Sequence, residues 1–151
     1  MSTFGEFLRA RREAVGLTQQ RLAELSGVQQ STIAAIERGR RQPSDEARRH
    51  LSKALLVRPR EILLNRRREV VAVASEHGLQ DVKVFGSIAR GDDTPYSDVD
   101  LMATYPADFD LVDKAELIED LERLLTVHVD VVSRTSGGAA AAEARREAIA
   151  L

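Results

Sequence analysis

The chain has 151 residues, 43% of them apolar, and a formal net charge of −2, enough for one domain or two small ones. It lacks cysteine, which excludes disulfides and thiolate metal sites. It also has no apolar run of membrane-span length and no basic-then-apolar leader, so the expectation is a soluble, cytoplasmic protein with no membrane partner. The small total charge conceals a division: residues 1–66 carry 13 Lys and Arg against 7 Asp and Glu, whereas residues 67–151 carry 9 against 17. This predicts two domains, a basic one that meets nucleic acid followed by an acidic one with another task.

Thr3 with Glu6 three residues later is a capping-box pattern that opens a first helix, with Phe4, Phe7 and Leu8 as its apolar stripe and Gly16 at its end. Thr18 caps a second helix over 19–26, with Leu22, Ala23 and Leu25 turned inward. Gly27 makes a turn, and a third helix over 30–38 buries Ile33 and Ile36 before Gly39 stops it. Ser44 caps a fourth, with Ala47, Leu51, Ala54 and Leu55 on its inner face.

Helix, Gly-containing turn, helix is the outline of a helix-turn-helix unit. The wording Leu17-Thr18-Gln19-Gln20, Leu22-Ala23, Gly27-Val28, Ser31-Thr32-Ile33 and Ile36-Glu37 with Gly39 resembles the phage-repressor-like family of bacterial regulators over residues 3–64. The resemblance implies an all-α bundle with 30–38 as the recognition helix in the major groove of a double-stranded DNA operator, bound as a homodimer. Position then makes Gln30, Ser31 and Ala34 or Ala35 the readers of base edges. Gln19 and Gln29 at helix starts, with Arg40 and Arg41 in the following loop, are placed for phosphates. The competing reading is a solvated basic face on a helical bundle, and Arg9, Arg11 and Arg12 fit either.

Pro59 suits a first helical turn, and the apolar residues Ile62, Leu63, Val70, Val71, Val73 and Ala74 carry helical spacing on to His77, with Gly78 as a C-terminal stop. No Gly- or Ser-rich linker intervenes. One continuous helix is favoured; the alternative is a break near Asn65.

Val82-Lys83-Val84-Phe85 alternates as a strand that breaks at Gly86-Ser87, after which Ile88-Ala89-Arg90 begins a short helical turn. Free backbone N–H groups there, with the Ser87 hydroxyl, suit phosphate oxygens. A second apolar run over 99–103 follows, with Asp98 and Asp100 two residues apart. On a strand that spacing puts both carboxylates on one face, close enough to share a cation, and without one their repulsion raises a pKa. A phosphate cradle facing a carboxylate pair is the outline of a phosphoryl- or nucleotidyl-transfer site.

Residues 111–125 read as an amphipathic helix with Leu111, Ala115, Ile118, Leu121, Leu124 and Leu125 buried. The β-branched run 126–132 reads as a central strand interrupted by Asp130, a costly place for a carboxylate unless something compensates it. Residues 136–142 are small and flexible, and 143–151 read as a closing helix.

Gly86-Ser87-x-Ala89-Arg90-Gly91 followed by Ser97-Asp98-x-Asp100-Leu101 resembles the signature of DNA polymerase β-type nucleotidyltransferases, and more narrowly the minimal nucleotidyltransferases of toxin–antitoxin pairs, from about Arg66 to the C-terminus. The resemblance implies an α/β (α+β) domain with a small mixed sheet over residues 67–151. Gly86, Ser87 and Arg90 would hold nucleotide. Asp98, Asp100 and Asp130 would ligate Mg²⁺ or Mn²⁺ and carry transfer of a nucleotide, AMP from ATP, to a protein hydroxyl. It also implies a HEPN-type ribonuclease toxin as partner and target. Two rivals stand beside it: a repressor whose second domain binds nucleotide or toxin without chemistry, and a nucleotidyltransferase acting on RNA ends. Plainer roles also stand for single residues. Asp98 and Asp100 fit turn and strand-edge positions, Asp130 fits an ion pair or an exposed edge, and Arg90 fits a loop pin. His128 shares side-chain parity with Asp130 but reads as structural. Asp92, Asp93 and the acids of 108–113 read as solvated loop charges, and Tyr96 as a turn residue.

Overall fold

The computed structural model describes residues 3–151, and the chain divides into two compact units, one up to Val57 and the other Arg58–Leu151. The first unit holds α1 (Phe4–Val15), α2 (Gln19–Ser26), α3 (Gln30–Glu37) and α4 (Asp45–Ala54). Their starts follow the side chains that cap them: Thr3 and Glu6 form a reciprocal capping box, and Thr18 and Ser44 each accept an amide of the first turn. Gly16 and Gly27 close α1 and α2 in the left-handed conformation. Leu8, Leu22, Ile33, Ile36, Leu51 and Leu55 form the core. Phe7 and Leu25 do not join it, being 48% and 50% exposed; each three-residue stripe is wider than the face its short helix buries.

The second unit holds α5 (Pro59–Asn65), α6 (Arg67–Glu76), β1 (Gln80–Phe85), α7 (Gly86–Arg90), β2 (Val99–Thr104), α8 (Leu111–Leu125), β3 (Val129–Ser133), α9 (Ala139–Glu147) and β4 (Ile149–Ala150). The helix expected to run unbroken from 59 to 77 instead breaks at Arg66, whose φ of −106° and ψ of 12° leave the helical region. In the second unit α5 buries Ile62 and Leu63 and packs on β2. Two further expectations are corrected. Residues 126–132 do not form a central strand, since the sheet order is β3-β2-β1-β4 and β3 lies at an edge. The C-terminal stretch ends in β4, paired antiparallel with β1, after a helix that starts earlier than expected. β1 and β2 are antiparallel, and β2 and β3 are parallel. α8 packs against α6 and β3, burying Leu117, Leu121 and Leu125, while Leu111 is exposed.

Gly5 sets the separation of α1 and α3, because a Cβ there would run into the Ile36 carbonyl oxygen. Gly5→Ala is expected to cost about 1–3 kcal/mol through overpacking. Calorimetry of the full chain should show the first unit's transition lowered and the second unit's unmoved.

Candidate functional site

The second unit's site is assembled by strand register. β1 ends with Phe85 opposite Asp100, so the chain enters α7 directly above that carboxylate. Gly86 has φ +69°, and a Cβ on it would stand 2.5 Å from Asp100 Oδ2. Only glycine allows both the backbone conformation and the approach. The amides of a first helical turn have no partner four residues back, so those of α7 open beside the carboxylate. Across the parallel pair, Asp100 is directly opposite Asp130, and Asp98 precedes β2 by one residue.

Like charges facing each other across a sheet are unfavourable, and Asp100 registers it. Burial, then the charges of Asp130 and Asp98, push its pKa up, with Arg90 opposing. Asp130 is not sunk in the sheet: its side chain is 56% exposed, and Lys114 Nζ of α8 stands 3.7 Å from its Oδ1. The cost expected of a mid-strand carboxylate is met by an edge position and a lysine. Tyr105 donates a 2.7 Å hydrogen bond to the Val131 carbonyl, and burial, then the Asp130 charge, push its pKa up to about 12.

Among the described residues no three His, Asp or Glu side chains gather tightly enough to hold a metal ion unaided. The donor chemistry nonetheless fits a hard divalent cation. Asp98, Asp100 and Asp130 offer only carboxylate oxygen, and Mg²⁺ takes one or two such ligands plus substrate phosphates.

In the first unit, α3 carries Gln30 and Ser31 exposed at its N-terminal end, with Gln29 exposed before it and Arg40 and Arg41 exposed after it. Ala34 is 7% exposed and belongs to the core, so of the two alanines named as base readers it is unavailable; Ala35 is half-buried. Gln19 is held at both ends of its amide: Nε2 donates to Glu37 Oε2 at 2.8 Å, and Oε1 accepts from Gln30 Nε2 at 2.8 Å. Glu37 in turn is gripped by Arg12 through Nε at 2.6 Å and Nη2 at 3.0 Å. That hydrogen bond is the first cause of a raised Arg12 pKa. A mostly buried ion pair therefore fixes the rotamers of two surface glutamines.

Comparison with known proteins bears on both units. A nucleotidyltransferase domain family matches residues 67–149, and a helix-turn-helix family matches 8–62. The chain belongs to the nucleotidyltransferase family. One relative is MJ0435 of Methanocaldococcus jannaschii, a candidate protein adenylyltransferase; it is 30% identical over 70 residues, 46% of this chain and 75% of its own length. A solved candidate minimal nucleotidyltransferase is 40% identical, with TM-score 0.55, over 61% of this chain and 95% of that one. A toxin–antitoxin structure with AMP-PNP shares the fold at TM-score 0.50 and 21% identity, over 55% of this chain and 69% of that one.

Within the nucleotidyltransferase unit, two residues escaped the sequence reading. Lys114 was hidden because a helix-surface lysine gives no sign of which strand it faces. Asp93, expected to be a solvated loop charge, is fully buried; its Oδ2 accepts the Arg60 amide at 3.1 Å and its Oδ1 has no partner. It ties the loop between the cradle and Asp98 to the first turn of α5. Arg90 pairs with Glu147 at 3.1 Å and Asp92 at 3.4 Å, and so pins its loop. His128 is 86% exposed and meets Glu122 rather than the carboxylates, and His77 pairs with Asp120 at 2.9 Å.

Because the folded chain holds the Asp100 proton more tightly than the unfolded chain, this group's contribution to stability is present below the ordinary aspartate pKa. It is lost as the pH rises through the raised folded value. In buffer with chelator, Asp100→Asn should raise the second unit's melting temperature at pH 7, on the order of a few degrees. The gain should shrink as the pH falls below about 4. A gain that persisted unchanged at low pH would refute the charge origin.

Proposed function

We propose that this chain is a DNA-binding antitoxin-type regulator whose nucleotidyltransferase unit moves AMP from ATP to a hydroxyl of a partner protein. The observation that carries the reading is the close approach of Gly86 to Asp100, with Asp130 opposite across β2 and β3. It sets the first turn of α7 within one side chain of Asp100, which supports reading that turn as a phosphate cradle beside the carboxylates. The name of the Methanocaldococcus relative supports adenylyl transfer to protein, and one structural neighbour is described as a toxin–antitoxin with AMP-PNP. A HEPN-type ribonuclease toxin is the proposed partner.

Gly86 and Ser87 would hold the β- and γ-phosphates through backbone amides and the Ser87 hydroxyl, with Arg90 at the rim. Asp98, Asp100 and Asp130 would hold Mg²⁺ or Mn²⁺; when bound, the cation stabilises charge on the attacking and leaving oxygens. The acceptor oxygen forms a bond to the α-phosphorus, the bond to the β-phosphate oxygen breaks, and pyrophosphate leaves. Asp130 receives the acceptor's proton. Lys114, already beside Asp130, puts one positive charge against the acidic cluster.

The helix-turn-helix unit would bind a palindromic operator as a dimer, with recognition helices about 34 Å apart. Gln30 and Ser31 read bases, while Gln19, Gln29, Arg40 and Arg41 hold phosphates. A repressor that binds nucleotide or toxin without chemistry is favoured by one observation, that the three carboxylates do not converge as a closed ligand set.

Asp98→Asn with Asp100→Asn should abolish label transfer from α-labelled ATP to the partner, a loss on the order of several kcal/mol of transition-state stabilisation. Operator affinity should stay the same. Equal labelling by wild type and double variant would end the catalytic assignment. ATP affinity measured by calorimetry should rise on replacing EDTA with Mg²⁺, and equal affinity would favour the non-catalytic reading. For the operator, Gln30→Ala should cost about 1–3 kcal/mol at one base pair and relax specificity there. Arg40→Ala should weaken all sequences and flatten the salt dependence. Competition binding against random DNA checks both.

A further inference from the structure

The apolar stripe of α8 runs a turn further than the surface it packs on. Leu117, Leu121 and Leu125 are buried, but Leu111 is 84% exposed and Val112 63%. The contact between Lys114 and Asp130 fixes where that exposed turn lies. Leu111 and Lys114 are three residues apart on one helix face, so Leu111 lies one turn before the side chain that reaches Asp130. On the other flank, Tyr96 is 82% exposed in the loop two residues before Asp98. The two most exposed large apolar side chains among the described residues thus lie two residues from Asp98 and one helical turn from the lysine that meets Asp130. Single exposed apolar side chains are ordinary; two groups of them around one site are the mark of a contact surface.

The charge around this rim says what covers it. Asp108, Asp110 and Asp113 lead into and open α8, all next to the exposed Leu111 and Val112, and Lys114 is the one basic residue between 108 and 116. A nucleic-acid acceptor would meet this field with its phosphates and be repelled, whereas lysine and arginine side chains are drawn to it.

We propose that this rim is the docking surface for the acceptor protein, and that it takes a Lys- and Arg-rich segment that presents a hydroxyl beside apolar contact residues. Leu111, Val112 and Tyr96 supply the desolvated contacts, and the carboxylates before and within the first turn of α8 select for positive charge. The inference rests on the reading of transfer to a protein hydroxyl and narrows its substrate class.

Two random copolymers of equal tyrosine content serve as probes, one of lysine and tyrosine and one of glutamate and tyrosine, incubated with the full chain, Mg²⁺ and α-labelled ATP. Label should enter the lysine copolymer at least about tenfold faster. Leu111→Ser with Val112→Ser should raise KM for that copolymer roughly tenfold and leave ATP affinity by calorimetry unchanged. Asp108→Lys should reduce the preference for lysine. Leu64→Ser, at a side chain that is also exposed (64%) but lines a pocket with β4 at the opposite sheet edge, should change neither value. Equal labelling of both copolymers, or a KM indifferent to the Leu111 and Val112 changes, overturns the docking surface and leaves the transfer reading standing. If neither copolymer takes label, anisotropy of fluorescein-tagged lysine copolymer decides. Binding weakened by the Leu111 and Val112 changes upholds the docking surface, binding indifferent to them overturns it, and the transfer reading is decided separately by labelling of the partner protein.

Discussion

The parallel register of β2 and β3 sets Asp100 opposite Asp130, and most of the second unit's chemistry follows from that one alignment. A shift of one residue would send one carboxylate to the other face of the sheet. The apolar residues that alternate with the acids prevent it: Val99, Leu101, Val129 and Val131 are all buried, so slippage would expose a core face. Hydrophobic burial thus holds together two charges that electrostatics alone would separate. The raised pKa of Asp100 is the trace of that opposition.

A comparable arrangement operates in the first unit with a different currency. Arg12 and Glu37 meet with side chains only 11% and 3% exposed, and a pair this deep contributes more to geometry than to net stability. What it fixes is the amide of Gln19, and through it Gln30. Two long side chains that would otherwise sample many rotamers are held in place, so any contact they make costs less rotamer entropy.

The sequence made the local features legible. Thr3, Thr18 and Ser44 marked helix starts, Gly16 and Gly27 marked ends, and the bounds of α8 were readable from its periodicity because caps and amphipathic spacing are short-range signals. The combination of Gly86-Ser87 with Asp98 and Asp100 likewise carried the resemblance to the nucleotidyltransferase family that matches residues 67–149. What remained hidden depended on partners distant in the chain. Asp93 looks like any loop acid, and its burial arises from an α5 amide 33 residues earlier. Periodicity could not show that β3 would be an edge strand, since a β-branched run reads alike at the edge and the centre. Ala34 and Ala35 differ by one position, about 100° of helix rotation, and only the packing of α3 shows which is buried. The break at Arg66 sits beside Asn65, a weaker helix former in a run of good ones, a signal strong enough to raise a break as an alternative but not to favour it.

Asp130 also bears on how the molecule behaves in a crowd of its own kind. An exposed sheet edge is a template on which further chains can add strands. Here the β4 edge is two residues long, too short to guide such growth. The β3 edge spans five residues but carries a half-exposed carboxylate in its second position, with Lys114 leaning over it. An incoming strand would have to desolvate that charge to pair. Asp130 therefore guards the longer edge of the sheet, and replacing it with an apolar residue would trade colloidal solubility for a smoother strand.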